Sequence, residues 1–154
     1  MELINQNKKE VTEAFLVQYK LYIEMMDKVS ERRGNANSFF ITLHTVTLGV
    51  VGINGFSIEK YSWIIVVWGL ILSYVWWYTL HSYKLLNTGK FEVIHEMEKE
   101  LPMNVYAYEW EILDYGKNRA KYWPISHLEH FIPIVFALVY ISFGLCVWIG
   151  GIPK

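Results

Sequence analysis

The clearest catalytic or metal-binding spacing in this chain is a single Glu-x-x-His, formed by Glu92 and His95. On a helix this spacing places a carboxylate and an imidazole on one face, as in carboxylate-bridged di-iron bundles. Such sites need a second copy of the motif and two further carboxylates, and the sequence contains no second Glu-x-x-His. The pair is therefore predicted to belong to an ordinary helix surface, and no metal site is expected.

Three further histidines lie in or beside apolar runs. His127 and His130 flank Glu129 just before the last apolar run, where they either bind a cation or cap or flank the following helix, and the second alternative is favoured. His44 lies inside an uncharged run, where an ionisable side chain is costly and marks a functional hypothesis. We expect it to be a neutral imidazole that is hydrogen-bonded to a neighbouring helix.

Neither a nucleophile beside a base nor a phosphate-binding glycine loop occurs in the sequence, so no enzyme activity, catalytic residue or cofactor is predicted. The net charge of −1 gives no indication of nucleic-acid binding. The single cysteine, Cys146, has no partner within the chain, which excludes an intrachain disulfide and a cysteine zinc site. No removable signal peptide is visible at the N-terminus.

The elements that carry these residues belong to a membrane protein. The chain is 53% hydrophobic and 17% aromatic, with seven tryptophans, which is above the usual globular range. Three uncharged runs approach the 20 or so residues that a helix needs to cross a bilayer. The prediction is an all-α fold in a single membrane domain, with these segments in order: a cytoplasmic amphipathic helix 8–33, a first span 38–56, a second span 63–80, a cytoplasmic helical segment 81–128, and a third span 131–149.

The distribution of basic residues predicts the orientation of these spans. Lys60 and Lys154 are the only basic residues on one side, and the other twelve of the fourteen lie on the opposite side. By the positive-inside rule the N-terminus is cytoplasmic and the C-terminus is outside. The second span is expected to continue as a helix beyond His81 until Leu101-Pro102 stops it, since the residue before a proline is biased away from helix.

A stripe of small and hydroxylated residues organises the first span. Its members recur at spacings of three and four, which places them on one helix face. They are Asn35, Ser38, Thr42, Thr45, Gly49 and Gly52. Small residues let helix backbones approach closely in lipid, and hydroxyls can also face water in a channel. A packed helix contact is the favoured interpretation, and pore lining is the main alternative.

A second candidate surface lies in the cytoplasmic segment, where aromatic and acidic residues alternate. It comprises Tyr106, Tyr108, Glu109 and Trp110. Because tyrosine and tryptophan dominate interface energetics, this surface is a candidate for binding a cytoplasmic protein partner. Burial inside the cytoplasmic part of a ring is equally consistent with the pattern.

The order of motifs resembles the RipA family of small bacterial inner-membrane proteins, which are octameric. The likeness covers roughly residues 13–140. The residues that carry it are 32–40 (RRGNANSFF), 82–87 (SYKLLN), 90–95 (KFEVIH), Leu101-Pro102, Tyr106, Glu109-Trp110, Pro133 and Phe136. The resemblance implies an octameric ring with both long segments in the cytoplasm and no established enzyme chemistry. The layout is also similar, in architecture only, to small multi-span pore-forming effectors of bacterial antiviral systems.

The sequence favours a homo-oligomeric, ring-forming protein of the bacterial inner membrane that acts as a regulated pore, with an antiphage or abortive-infection effector as the expected role. The alternative is a non-conducting oligomeric scaffold that binds a cytoplasmic protein or supports envelope homeostasis. In both cases the predicted partners are other copies of the chain, the lipid bilayer and a cytoplasmic protein trigger.

Overall fold

The computed structural model describes residues 3–4, 10–51, 58–122 and 125–150, and for residues 51, 58–61, 126 and 127 it describes the backbone alone. The described residues are overwhelmingly helical, which confirms the predicted all-α class. The elements are α1 (Glu13–Val51), α2 (Ile58–Glu98), α3 (Val105–Ile112), a 3-10 turn (Asp114–Gly116), α4 (Ile125–Glu129) and α5 (Phe131–Trp148). Within the described ranges no strand forms, and Ile4 and Met103 make one isolated antiparallel bridge.

Both long helices run without a break through a change of composition. α1 joins the predicted amphipathic helix to the predicted first span, and α2 joins the second span to the segment beyond His81. Gly89 lies inside α2 and does not interrupt it, at a site where an added Cβ would meet open space. α2 ends at Glu98, just before Leu101-Pro102, as expected from the proline.

Two helices of the described chain are long and apolar enough to cross a membrane, where the sequence predicts three spans. They are Ser62–Glu98, within α2, and Phe131–Trp148, which is α5. The predicted span 38–56 is not among them for two reasons. Its last residues lie outside the described part of the chain, and the part that is described, 38–51, is shorter than a membrane span. A longer stretch of α1 must include the polar Asn35 and Asn37 that precede it.

The chain divides into two compact units, and each contains part of α1 and part of α2. The first, here called the polar unit, comprises Met1–Arg32 and Tyr83–His127. The second, called the apolar unit, comprises Arg33–Ser82 and Leu128–Lys154. The charged residues of α1 and α2 concentrate in the polar unit, whereas the uncharged runs lie in the apolar unit.

Aromatic and aliphatic side chains form the core of the apolar unit. Phe40, Trp76 and Leu80 are buried, and Ile132 and Phe136 of α5 pack against them. α5 also approaches α2 closely at Gly69, because the ring of Tyr140 occupies the space that a Cβ on this glycine would need. The absence of a side chain at this position is thus required by the packing.

In the polar unit, α1 and α2 bury a smaller apolar set. Met26 and Val29 of α1 and Ile94 of α2 are buried there. Lys90 is also largely buried, and its ammonium lies 4.6 Å from the centroid of the Tyr22 ring, a cation–π contact between the two helices. Its aliphatic stem covers apolar surface while the charge faces an aromatic ring.

Candidate functional site

In the apolar unit, α1 presents one face to the core and the opposite face to the outside of the chain. The core face carries Asn37, Phe40, His44 and Thr47 at spacings of three and four. Phe40 and His44 are buried. The face rotated by about half a turn from this one, at 3.6 residues per turn, is the predicted small-residue stripe.

His44 is fully buried between α1, α2 and α5 and makes the predicted hydrogen bond to a neighbouring helix. Its Nδ1 lies 3.1 Å from the hydroxyl of Tyr140 on α5. Its ring stacks on Phe136 with centroids 4.5 Å apart and lies near Trp76. Its Nε2 is buried and has no hydrogen-bond partner among the described residues. The imidazole therefore contacts two other helices of the same chain, which is the geometry of a side chain that packs the core.

Sequence reasoning missed a second polar contact on the same face, between Asn37 and Trp76. The indole Nε1 of Trp76 donates to Asn37 Oδ1 at 2.8 Å. The Trp76 ring also stacks on Phe40, with centroids 5.7 Å apart. A buried indole usually has a hydrogen-bond acceptor, and Asn37, one residue before the predicted first span, was the sequence signal for this one. Asn35, only two residues earlier, was assigned to the stripe and is exposed.

The small-residue stripe faces away from the rest of the chain. Asn35, Ser38, Thr42, Thr45 and Gly49 are all exposed, and Gly52 lies outside the described residues. The Thr42 hydroxyl donates to the Ser38 carbonyl at 2.9 Å, and the Thr45 hydroxyl donates to the Ile41 carbonyl at 2.8 Å. A Cβ added at Gly49 would meet nothing within 4 Å. The stripe is therefore available to water or to another molecule.

The outer surfaces of α2 and α5 in the apolar unit have the opposite chemistry. Their exposed side chains are large and apolar, and they include Trp63, Val67, Ile71, Val135, Leu138 and Leu145. Such surfaces suit hydrocarbon, since a helix in lipid needs no polar outer face. Among the described residues of this unit, the exposed polar stripe lies on α1, whereas the exposed surfaces of α2 and α5 are mainly apolar.

Charged residues gather at one end of the apolar unit, where the last apolar helix begins. Arg33 Nε lies 3.3 Å from Glu129 Oε2, with both side chains mostly buried. His130 occupies the N-cap position of α5, yet its side chain makes no capping hydrogen bond. The His130 ring instead meets the edge of His81, with centroids 6.3 Å apart. The side chain of His127 lies outside the described part of the structure.

In the polar unit, a buried carboxylate joins all three helices. Glu98, at the end of α2, is fully buried. Its oxygens accept hydrogen bonds from the backbone amides of Tyr106 at 2.8 Å and Ala107 at 3.0 Å, in the first turn of α3. The Tyr19 hydroxyl of α1 donates to the same carboxylate at 3.2 Å. Glu98 thus supplies the cap that Asn104, at the N-cap position of α3, does not provide with its own side chain.

The phenols around Glu98 are held in their neutral form. Burial raises the pKa of Tyr19, and the negative charge of Glu98 raises it further. Burial likewise raises the pKa of Tyr106, with smaller contributions from the charges of Asp27, Glu109 and Glu98. Both effects disfavour a phenolate, so at neutral pH these side chains act as hydrogen-bond donors and packing groups.

The predicted partner surface on α3 is only partly exposed. Tyr106 and Tyr108 are half-buried, and the Tyr106 ring meets the edge of Phe91 with centroids 6.2 Å apart. Glu109 is exposed, and Trp110 is 37% exposed. The aromatic residues of α3 therefore divide between internal packing and an outer surface that Glu109 and Trp110 share.

The Glu-x-x-His pair lies on an open groove of the polar unit. Glu92 is exposed and His95 is half-buried, and both line this groove together with Phe15 and Met97. In the described ranges no group of three or more His, Cys, Asp or Glu side chains is arranged to hold a metal ion. The geometry is that of a helix surface.

The family model described as the octameric membrane protein family (8xMP) matches residues 16–149 of the chain. No curated protein and no solved structure matches it.

Proposed function

Because this chain belongs to the octameric membrane protein family, we propose that it assembles into a homo-octameric ring in the bacterial inner membrane and acts as a regulated pore. The small-residue stripe of α1 lines the pore. The chain carries no catalytic reaction in this proposal. In this proposal the assembled protein opens and closes an ion-conducting pore through the bilayer.

The observation that carries the proposal is the exposure of a polar stripe on the face of α1 that points away from the core. Lipid-facing helix surfaces are apolar, and the exposed surfaces of α2 and α5 fit that environment. The stripe does not, since its exposed members are hydroxyls, an amide and a glycine. In a ring, a surface of this kind is directed at the lumen or at a neighbouring subunit.

The hydroxyl geometry of the stripe is compatible with a lumen. Thr42 and Thr45 each satisfy their own donor with a carbonyl of the preceding turn. The oxygen atoms keep acceptor capacity, which water in a lumen can use. A helix seam would leave that capacity unused unless the neighbour offered donors.

The proposal includes a third span and an orientation. We assign the additional span to residues 38–56. The other two spans lie within Ser62–Glu98 and Phe131–Trp148, the two helices that are long and apolar enough to cross. Twelve of the fourteen basic residues lie on the side of the N-terminus, which supports a cytoplasmic N-terminus and an outside C-terminus. A cytoplasmic protein trigger would then act on the polar unit. The similarity in layout to antiviral pore effectors supports a role in defence against phage.

A second candidate function is a non-conducting scaffold, and Gly49 is the observation that favours it. The bare backbone at this position would let a helix of another subunit approach closely. The stripe would then be a seam between subunits, and the ring would hold a cytoplasmic partner without conducting.

Hydroxyl removal on purified protein in liposomes separates the two functions. Thr42→Val and Thr45→Val keep the side-chain shape nearly constant, and a water-filled lumen should then conduct ions several-fold less because the constriction becomes drier. Thr79→Val is the matched control, since it removes a hydroxyl that donates to a carbonyl of its own helix at 2.8 Å, at a position on α2 outside the stripe. The pore proposal is wrong if parent protein conducts no better than empty liposomes, or if the stripe variants conduct like this control.

Added volume at Gly49 gives a second, independent readout. With a lumen on this face, Gly49→Leu should leave the oligomer intact, measured by mass photometry in detergent, while flux falls. With a helix seam, the leucine must separate two backbones at a cost of about 1–3 kcal/mol per contact, and the oligomer should dissociate. Intact oligomers with unchanged flux would mean that the stripe faces lipid, which contradicts both functions.

A further inference from the structure

The polar unit exposes an apolar and basic line along α1. We call it the α1 ridge. Its members follow one another at spacings of four, four, three and four, so they share one helix face. They are Val17, Leu21, Met25, Lys28 and Arg32. Val17 is 59% exposed and Leu21 is 55% exposed.

A second exposed apolar line, with an acidic residue at its centre, lies on and just before α3. We call it the α3 face, and it comprises Met103, Val105, Glu109 and Ile112. Val105 is 50% exposed and Ile112 is 48% exposed. None of the residues of α3 is buried, although the helix is anchored through Glu98. Contiguous exposed apolar surface of this kind marks an interaction site.

The two lines lie on different sides of the polar unit. α1 packs on α2 through Tyr22, Met26 and Val29, and its Tyr19 reaches the carboxylate that caps α3. At 3.6 residues per turn, Val17 and Leu21 point about 160° away from Tyr19, whereas Met25 lies about 40° from Val29, at the edge of the packed face. One subunit therefore offers two distinct surfaces, which is what a head-to-tail interface requires if it is to close into a ring.

Charge matches the two surfaces to each other. The α1 ridge ends in Lys28 and Arg32, whereas the α3 face carries Glu109. None of these three side chains forms an ion pair with any other described residue. Aliphatic residues flank the charges on both surfaces, so docking would bury apolar area and place opposite charges together.

We propose that the α1 ridge of one subunit docks on the α3 face of the next subunit, and that this contact, repeated around the ring, joins the polar units of the octamer. The occupant of each surface is a second copy of this chain. The inference rests on the assembly in the proposed function and not on conduction. Its failure would leave a conducting ring that is held together elsewhere.

Cysteine crosslinking of the full-length protein tests the contact. In a Cys146→Ser background, Leu21→Cys and Val105→Cys are combined in one chain and treated in detergent with a short bismaleimide. A covalent ladder that extends beyond the dimer is expected, and neither single variant should give any ladder. Leu85→Cys with Val105→Cys is the matched control, because Leu85 is an exposed leucine of α2 outside the ridge. Dimers from either single variant, or octamers that form without a ladder, would overturn the proposal.

Charge exchange gives a test that does not depend on crosslinking geometry. Lys28→Glu and Glu109→Lys should each weaken every subunit contact about fivefold, the size expected for reversing one solvent-accessible pair, and the loss multiplies around the ring. The double variant restores opposite charges and should recover the octamer, which a simple folding defect would not allow. Circular dichroism of the single variants should remain that of the parent. Failure of the double variant to recover, with helicity intact, would contradict the pairing.

Discussion

Replacing Glu98 by glutamine should loosen α3 without unfolding the rest of the protein. The carboxylate receives three donors, namely two backbone amides of the first turn of α3 and the hydroxyl of Tyr19. Glutamine has nearly the same shape, but one of its two terminal groups is a donor. An amide NH₂ that faces other donors leaves at least one of them without an acceptor.

The size of the effect follows from the environment of the carboxylate. Glu98 is fully buried, so water cannot replace the missing acceptor. A hydrogen bond to a charged group contributes about 1.5–3 kcal/mol, and a buried donor left without a partner costs about 1–3 kcal/mol. We therefore expect Glu98→Gln to destabilise the docked state of α3 by about 2 kcal/mol. This corresponds to roughly 30-fold more frequent local opening.

Hydrogen exchange of the detergent-purified protein, followed by mass spectrometry, measures this opening directly. Peptides that cover Val105–Ile112 should exchange faster in Glu98→Gln, while peptides from the apolar unit should not change. Glu96→Gln is the matched control, since Glu96 is exposed and pairs only with Lys99 at 2.6 Å among the described residues, a surface pair of little energetic weight. Equal exchange of α3 in the two variants would refute the capping role of Glu98.

Two further predictions concern the apolar unit and the orientation of the chain. Gly69→Ala should lower the free energy of unfolding by at least about 1–3 kcal/mol, measured by thermal unfolding, because the added Cβ overlaps the buried ring of Tyr140. Gly49→Ala is the control and should leave stability unchanged, since its Cβ meets nothing within 4 Å. Equal stabilities of the two variants would contradict the close approach of α5 to α2. A reporter that is active only in the cytoplasm should work when it is fused after Glu100 and fail when it is fused after Lys154, and the reverse result would overturn the orientation.

Helical periodicity predicted much of the fold because it is a local property. The uncharged runs and the charged amphipathic runs each specify helix, so the continuity of α2 through His81 followed from two patterns in register. The end of α2 followed from Pro102, which disfavours helix in the residue before it. What periodicity leaves open is which face of a helix packs. Asn35 and Asn37 differ by two positions and lie on opposite faces of α1, and only Asn37 meets Trp76.

The contacts that define the two units could not be predicted, since each joins residues far apart in the sequence. His44 and Tyr140 are separated by 96 positions, and Tyr19 and Glu98 by 79. No motif marks such pairs. Glu98 is the plainest case, because it follows two exposed glutamates, Glu92 and Glu96, and nothing in the sequence distinguishes it from them. Its burial depends on where α3 folds back, and that is decided by the turn after Leu101.

The pore proposal and the interface proposal use different parts of α1. Conduction depends on assembly of the ring, whereas assembly does not depend on conduction, so the two proposals can be tested separately. The stripe needs the ring before it can line anything, whereas the contact between the α1 ridge and the α3 face forms whether or not the ring conducts. Weakening the ridge should therefore remove both the octamer and the flux, and changing the hydroxyls of the stripe should remove the flux alone. The same helix can meet both demands because the two sets differ in position along the chain. The ridge ends at Arg32 and the stripe begins at Asn35, close to where the chain divides between the polar and the apolar unit. The proposed assembly residues of α1 thus lie in the polar unit, and the proposed pore-lining residues lie in the apolar unit.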